Sequence, residues 1–438
     1  MNSRTSSSRP LAPPKPDSHS DNPLVRYFKV LGPGLVTGAS DDDPSGITTY
    51  AVAGAALGTG LLWTALATFP LMAAVQLVCA RIGLVTGRGL AGAVRGHYAR
   101  GYLYAACALL LVANVFNIAA DLGGMSDAAA MLTGLPRVLF TPLFGALLVW
   151  ATVYTSYATF ARYLKWLTAA LFAYIASAIL AQPEWRQALV ATVMPRMTWD
   201  TAYVSTLVGI LGTTISPYLF FWQASQEVEE ERAKGRRTVA QRRGATTGEL
   251  ADARLDVMTG MAFSNVVMYF IILASAATLF RAGQHEIQTS RQAAEALRPL
   301  AGDAAALLFA LGLVGTGLLA VPILAGSASY AIAELFAWRS GLDLRPWQAR
   351  RFYLVLGGAI VVGVALDLLN SNPVRTLFLS AVLNGVLAPP LLALVMLVGN
   401  NRSIMGAHTN GVWLNVLGWG ATLAMTAAVL ALLGTSLG

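Results

Sequence analysis

Residues 41–49 read DDDPSGITT and residues 212–218 read GTTISPY, each inside an otherwise apolar segment. Asp43 is the deepest acid of the first stretch. A carboxylate at the centre of a bilayer costs about 2.5–3.5 kcal/mol on insertion scales, so it calls for water, a cation or a proton beside it. Pro44 removes a backbone donor and frees carbonyls nearby, and Gly46 lets another group approach the backbone. Facing them, a break at Pro217 exposes further carbonyls beside the hydroxyls of Thr213, Thr214 and Ser216. One carboxylate with hydroxyls and carbonyls, and no thiolate or imidazole, is a hard oxygen donor set. It suits Mg2+, Ca2+, Mn2+ or a monovalent cation. The plainer role for Asp43 is to cap a half-helix in a wet vestibule. Asp41 and Asp42 read as solvated neighbours, or as attractors of cations, rather than as ligands.

Asp121, in NVFNIAADLGGMSDAAAML, is a second deep acid. It can carry protons, stabilise a cation route or pair with a neighbour, whereas Asp127 lies nearer the helix end and reads as solvated. Asn384, in LSAVLNGVLAPPLL, and Asn265 each fit a cavity lining or an interhelical hydrogen bond worth ~0.6 kcal/mol. The four histidines (His19, His97, His285 and His408) fall in tails, loops or segment ends, which argues against a deep imidazole ligand or relay. Cys79 and Cys107 stand singly and read as small core residues.

The elements that must hold these groups are membrane helices. Of 438 residues, 56% are hydrophobic and 12% charged, against about 25% charged in soluble domains. Apolar runs of roughly 20 residues recur, each long enough for a ~30 Å hydrocarbon core, and they lack the alternation of a barrel. Eleven candidate spans lie near 29–60, 62–85, 102–132, 137–156, 162–181, 203–226, 258–280, 303–337, 351–369, 374–398 and 412–434, the eighth long enough to tilt or bend. With the N-terminus in the cytoplasm and the C-terminus outside, 23 of the 30 Lys and Arg residues face inward. That asymmetry fits the positive-inside rule for a cytoplasmic (inner) membrane protein. It accounts for the net charge of +8 without a nucleic-acid partner. Residues 1–24 read as a disordered cytoplasmic tail, and EVEEERAKGRRTVAQRRGATTGELADARLD reads as a solvated cytoplasmic loop.

The two interruptions are five spans apart. Two sets of five helices then run in opposite senses, as in an inverted-topology repeat whose halves each begin with a broken helix. The predicted core covers 25–401, and 402–438 adds one further helix.

The same residues resemble the natural resistance-associated macrophage protein (NRAMP) family of divalent metal transporters. GPGLVTGASDDDPSGI resembles the family's first helix, where GPG precedes Asp-Pro-Gly-Asn. VQLVCARIGLVTGRGLAG resembles its second helix and following loop, with Gln76, Gly83, Thr86 and Gly87 in register. GTTISP resembles its sixth-helix motif. The resemblance implies an all-α integral membrane fold of about 11 helices, a LeuT-type 5+5 inverted repeat with helices 1 and 6 broken. It also implies a carrier of divalent cations, with the ion as cargo and no cofactor or enzymatic activity.

The departures from the family pattern carry the specificity reading. Asp43 and Pro44 keep the Asp-Pro, but Gly46 stands at the Asn ligand position. Ser216 replaces the Met thioether, and Thr213 replaces the Ala whose carbonyl contacts metal. Tyr218 and Gln223 replace two histidines. Asp121 is kept, while Gly124 stands where the family has Glu. Losing the thioether removes a preference for softer ions, and a wider site suits a partly hydrated Mg2+. Losing the titratable groups resembles the NRAMP-related magnesium transporters, with weak or absent proton coupling. The resemblance thus nominates Asp43, Gly46, Thr213 and Ser216 for metal, with Asp121, Tyr218, Thr214 and Asn384 along the pathway. The alternatives are a proton-coupled Mn2+ or Fe2+ symporter, an organic-cation or amino-acid carrier on the same fold, and a sensor that has lost transport. An intramembrane aspartyl protease is disfavoured because neither Asp43 nor Asp121 has a GxGD setting.

Overall fold

The computed structural model describes residues 27, 30–154, 171–195, 197–370 and 372–437. The 1–24 tail and residues 162–170 of the 162–181 span lie outside these residues. The framework helices are α1 (Pro33–Asp41), α2 (Pro44–Leu57), α3 (Trp63–Thr86), α4 (Arg100–Thr133), α5 (Arg137–Tyr154), α6 (Phe172–Leu180), α7 (Thr201–Thr214), α8 (Pro217–Ala233), α9 (Thr247–Ser275), α10 (Ala305–Leu335), α11 (Arg350–Leu368), α12 (Pro373–Asn400) and α13 (Val412–Leu437). Among the described residues, nine helical segments are long and apolar enough to cross a membrane. The first predicted span is not one of them, because it is split into α1, of 9 residues, and α2, of 14. At 1.5 Å per residue, only the two together reach ~30 Å. The 303–337 run is α10, 31 residues with Pro322 inside, long enough that it must tilt.

The two breaks share one backbone signature. At the first, Asp42 ends α1 with φ −86° and ψ 52°, Asp43 is extended, and Pro44 opens α2. At the second, Ile215 ends α7 with φ −116° and ψ 59°, Ser216 is extended, and Pro217 opens α8. Proline forces this locally. It pushes the residue before it into the extended region, and it is well placed at the first helical position, where an N–H has no partner anyway. The packing repeats as well: α9 lies along α1 and α2, while α3, five spans earlier, lies along α8. The fold is an all-α, five-plus-five inverted repeat with its first and sixth helices broken.

Contact between α1 and α9 is as close as backbones permit. A Cβ added at Gly38 would overlap the Gly260 carbonyl, and one at Gly34 would come 2.6 Å from the Val257 nitrogen. The α1 N-terminus has no side-chain cap of its own. Instead Asp256 of α9 accepts from the backbone N–H groups of Gly32, Gly34 and Leu35 at 2.9, 2.6 and 3.0 Å, satisfying donors that a helix start leaves unpaired.

The stretch between α8 and α9 is largely exposed, in keeping with a solvated loop, but it is anchored at one point. It contains the short helix Val239–Arg242, and Arg242 is buried. Its guanidinium donates to the carbonyls of Gly87, Arg236 and Arg237 at 3.3, 3.0 and 2.8 Å, while the Gly244 N–H donates to the Val85 carbonyl at 2.9 Å. The C-terminal carbonyls of α3 lack intrahelical donors, and this segment docks because it supplies them. Arg236 adds ion pairs to Glu231 and Glu249.

Candidate cation site at the helix breaks

Asp43 is the N-cap of α2. Its Oδ1 accepts from the Gly46 N–H at 2.7 Å, so the capping role read from the sequence is present and occupies one carboxylate oxygen. The other faces α8, where the Tyr218 hydroxyl lies 3.4 Å from Oδ2 and donates to the Ser40 carbonyl at 2.8 Å. Tyr218 thus ties the second broken helix to a carbonyl freed at the first. Asp43, Asp41, Asp121 and Tyr50 all lie close enough to act electrostatically on its phenol. Ser45 continues the link outward: its hydroxyl donates to the Leu377 carbonyl on α12 at 2.8 Å and lies 2.9 Å from Ser380 Oγ.

The hydroxyls at the second break turn inward to their own helix. Thr213 donates to the Ile210 carbonyl at 3.0 Å, Thr214 to the same carbonyl at 2.9 Å, and Ser216 to the carbonyls of Gly212 and Thr213. Only Ser216 quenches carbonyls freed by the break, and none of the three bonds Asp43. A hydroxyl that donates its proton keeps two lone pairs, so each can still serve as an oxygen ligand.

Asp121, on α4, is fully buried, and neither carboxylate oxygen has a hydrogen-bond partner. Three residues on, a Cβ at Gly124 would fall 2.8 Å from Leu377 Cδ1, so a side chain there requires Leu377 to shift. Asn384 is buried with Oδ1 unpartnered. Asn265 is interhelical: it donates to the Ala65 carbonyl at 2.6 Å and accepts from Thr68 at 3.2 Å, joining α9 to α3. Gln223, at a family histidine position, accepts from Thr37 at 2.6 Å and donates to Glu227 at 2.8 Å. Asp127 is half-buried.

Asp41 and Asp42 correct the sequence reading. Neither is solvated: they are 1% and 0% exposed, and the Ser264 hydroxyl of α9 approaches both. The glycine contacts that press α1 onto α9 bury the end of α1 with them.

Other residues enter only with the structure. Asn117, one turn before Asp121 on the same α4 face, is fully buried with both amide atoms unpartnered, and Asn114 before it donates to the Leu324 carbonyl at 2.8 Å. The spacing Asn114, Asn117, Asp121 is the readable signal for this polar stripe. A thioether also reaches the first break from α4. A Cβ at Gly317 of α10 would overlap Met125 Sδ and lie 3.1 Å from the Pro44 ring, so Met125 and Pro44 flank the same spot. Buried orphan polar atoms are rare and mark sites completed by water or an ion. Among the described residues, no three His, Cys, Asp or Glu side chains converge as metal ligands. An ion at the breaks would draw on single carboxylates, hydroxyls, carbonyls and retained water, a hard donor set.

The natural resistance-associated macrophage protein-like family model matches residues 34–435. A divalent metal cation transporter MntH of Pectobacterium carotovorum subsp. carotovorum is 30% identical over 407 residues, 89% of this chain and 90% of that one. The Deinococcus radiodurans protein of the same name is 27% identical over 443 residues, 96% of this chain and 95% of that one. In fold, the chain is similar to an Eremococcus coleocola manganese transporter, with TM-score 0.72 and 20% identity, covering 95% of this chain and 87% of the other. It is also similar in fold to Mhp1, a nucleobase-cation-symport-1 family transporter, with TM-score 0.54 and 14% identity, covering 93% of each chain. With the family model spanning nearly the whole length and both broken helices in place, this chain belongs to the natural resistance-associated macrophage protein (NRAMP) family.

Proposed function

We propose that this chain carries a hard divalent cation, Mg2+ foremost and Mn2+ with it, across the cytoplasmic membrane by alternating access at the paired helix breaks, without an obligatory proton. The observation that carries this reading is the donor set at the breaks. The Tyr218 hydroxyl lies 3.4 Å from Asp43 Oδ2, and Ser216 supplies a second hydroxyl at the other break, at positions where the resemblance implies imidazole and thioether. Oxygen donors of this kind favour hard ions, and Mg2+ needs only one or two carboxylates because it keeps much of its water. In this reading Asp43, Gly46, Thr213 and Ser216 contact the ion or its water. Asp121, Tyr218, Thr214 and Asn384 line its route. The carrier core is 25–401 with α13 appended, and the N-terminus is cytoplasmic, as the distribution of basic residues favours. The printed names of the relatives, divalent metal cation transporter and manganese transporter, agree with a divalent cargo.

A second reading is favoured by two specific observations. Met125 brings a thioether to the first break, and Asp121 is a buried carboxylate without a partner. Both suit a proton-coupled Mn2+ or Fe2+ symporter. Influx of Mg2+, Mn2+, Ca2+ and Cd2+ into proteoliposomes separates the readings. Mg2+ and Mn2+ entering without Cd2+ preference supports the hard-ion carrier. Mn2+ and Cd2+ entering with acidification, and Mg2+ excluded, supports the symporter. Entry of none of the four rules out both.

A further inference from the structure

Asp41 and Asp42 have no role in the site so far. Their oxygens converge on one hydroxyl, with Ser264 Oγ 2.9 Å from Asp41 Oδ2 and 3.3 Å from Asp42 Oδ1. A serine hydroxyl has one proton and can donate to only one of two carboxylates. The remaining oxygens, Asp41 Oδ1 and Asp42 Oδ2, are buried without a partner. Both residues also sit at the C-terminal end of α1, where aligned peptide dipoles already place partial negative charge. Among the described residues no Lys, Arg or His forms an ion pair with either. Two carboxylates so placed need a compensating proton or cation, since a buried charge is held only when paired or when it coordinates a metal.

An independent group points at the same place. The Tyr50 hydroxyl, on α2, is fully buried and has no hydrogen-bond partner. Asp41, Asp42 and Asp43 lie close enough to act on it electrostatically, and Thr213 of α7 lies beside it. Its oxygen and that of Ser264 are hard donors from two further helices.

We propose that Asp41, Asp42, Ser264 and Tyr50 form a second cation site, adjoining the Asp43 site on its α1–α9 side, that binds a hard divalent ion such as Mg2+ or Mn2+. The proposal rests on the reading of the chain as a divalent-cation carrier. Two carboxylates neutralise the dication, two hydroxyls add oxygen ligands, and water completes a shell that Mg2+ in any case prefers to keep in part. An ion held there bridges α1, α2 and α9. Its arrival and loss therefore bias the contact between α1 and α9, which must change for the buried carboxylates to reach water.

The test counts Mn2+ bound to the purified full-length protein by equilibrium dialysis, at mildly acid and mildly alkaline pH. The expected count is about two ions per chain in the wild type. It falls to about one in Asp41→Asn/Asp42→Asn and to about one in Asp43→Ala, and binding is lost when all three are changed. A wild-type count of one that survives Asp41→Asn/Asp42→Asn overturns the proposal, and so does a count of two that survives it. A pair that merely holds a proton gives the first of these results. The carrier reading fails separately, if Asp43→Ala leaves both the count and Mg2+ influx unchanged. Should the double asparagine variant not fold, Ser264→Ala keeps both carboxylates. It must then weaken one class of bound Mn2+ roughly tenfold while sparing the other. Two undisturbed classes in that variant overturn the site.

Discussion

Tyr218 shows how one side chain carries two jobs at the breaks. Its hydroxyl caps a carbonyl of α1 and stands beside the free oxygen of Asp43. Tyr218→Phe removes both contacts while keeping the ring, so stability should fall by about 1 kcal/mol, the usual net worth of one hydrogen bond. A chemical-denaturation midpoint in detergent checks the size, and an unchanged midpoint would show that the bond contributes nothing. Met125 carries the opposite chemical lesson. If its sulfur takes part in ion selection, Met125→Leu, a volume-conserving change, lowers Cd2+ influx relative to Mg2+ by roughly tenfold, about 1.4 kcal/mol. An unaltered ratio assigns Met125 to packing alone. Asp43 and Ser216 were legible in the sequence because a carboxylate and a serine beside proline are out of place in an apolar run. Met125 and Tyr50 were not, because a methionine or tyrosine on a membrane helix looks like any core residue until its neighbours from other helices are known. Asp41 and Asp42 were misread for the same reason. Whether an acid at a helix end meets water depends on what packs over it, and here α9 does.

The elements that make the site are the two breaks and the helices clamped to them. Both breaks were readable, since Asp-Pro and Ser-Pro inside apolar runs end one helix and start the next, and their shared dihedral pattern follows from proline. The clamp on α1 was not readable. Gly34 and Gly38 signal close approach, but nothing in their spacing names Gly260 as the partner. Nor does the sequence show that Asp256 caps α1 from 222 residues away. Asp256→Ala removes three charge-assisted acceptor contacts from the start of α1. The loss should be about 3 kcal/mol, the scale of one such bond, because water can re-cap the exposed N–H groups. Faster hydrogen exchange confined to α1 and the facing turn of α9 would accompany it. Uniform exchange rates across the protein would contradict the clamp. Gly38→Leu tests the same contact from its apolar side: its side chain has no space against the Gly260 backbone. The variant should lose transport with α1 pushed off α9, and normal transport would mean that the close approach is dispensable.

At the scale of the whole molecule, apolar runs and proline positions disclosed the inverted repeat, because bilayer thickness fixes span length and proline fixes where a span breaks. They did not disclose that the stretch between α8 and α9 folds back onto the end of α3 through Arg242, since a run of mixed charges carries no record of which carbonyls need donors. In the conformation described, Asp41, Asp42, Asp43 and Asp121 are all at most 3% exposed, so the site is occluded and an ion reaches it only when helices around the breaks move. Gly124 and Gln223, at positions where the resemblance implies titratable side chains, carry none, which removes groups able to pass protons along that path. Mg2+ influx recorded together with a lumenal pH dye should therefore leave the dye signal flat, and acidification in proportion to metal entry would restore a coupled mechanism. In the proposed mechanism the ion is held by Asp43 at the first break. Mg2+ influx into proteoliposomes reconstituted at equal density with wild type or Asp43→Ala tests this step alone. The variant, still monodisperse and folded, should fall to the level of empty vesicles. Influx in Asp43→Ala at the wild-type rate would contradict it and move the ion's path away from the paired breaks.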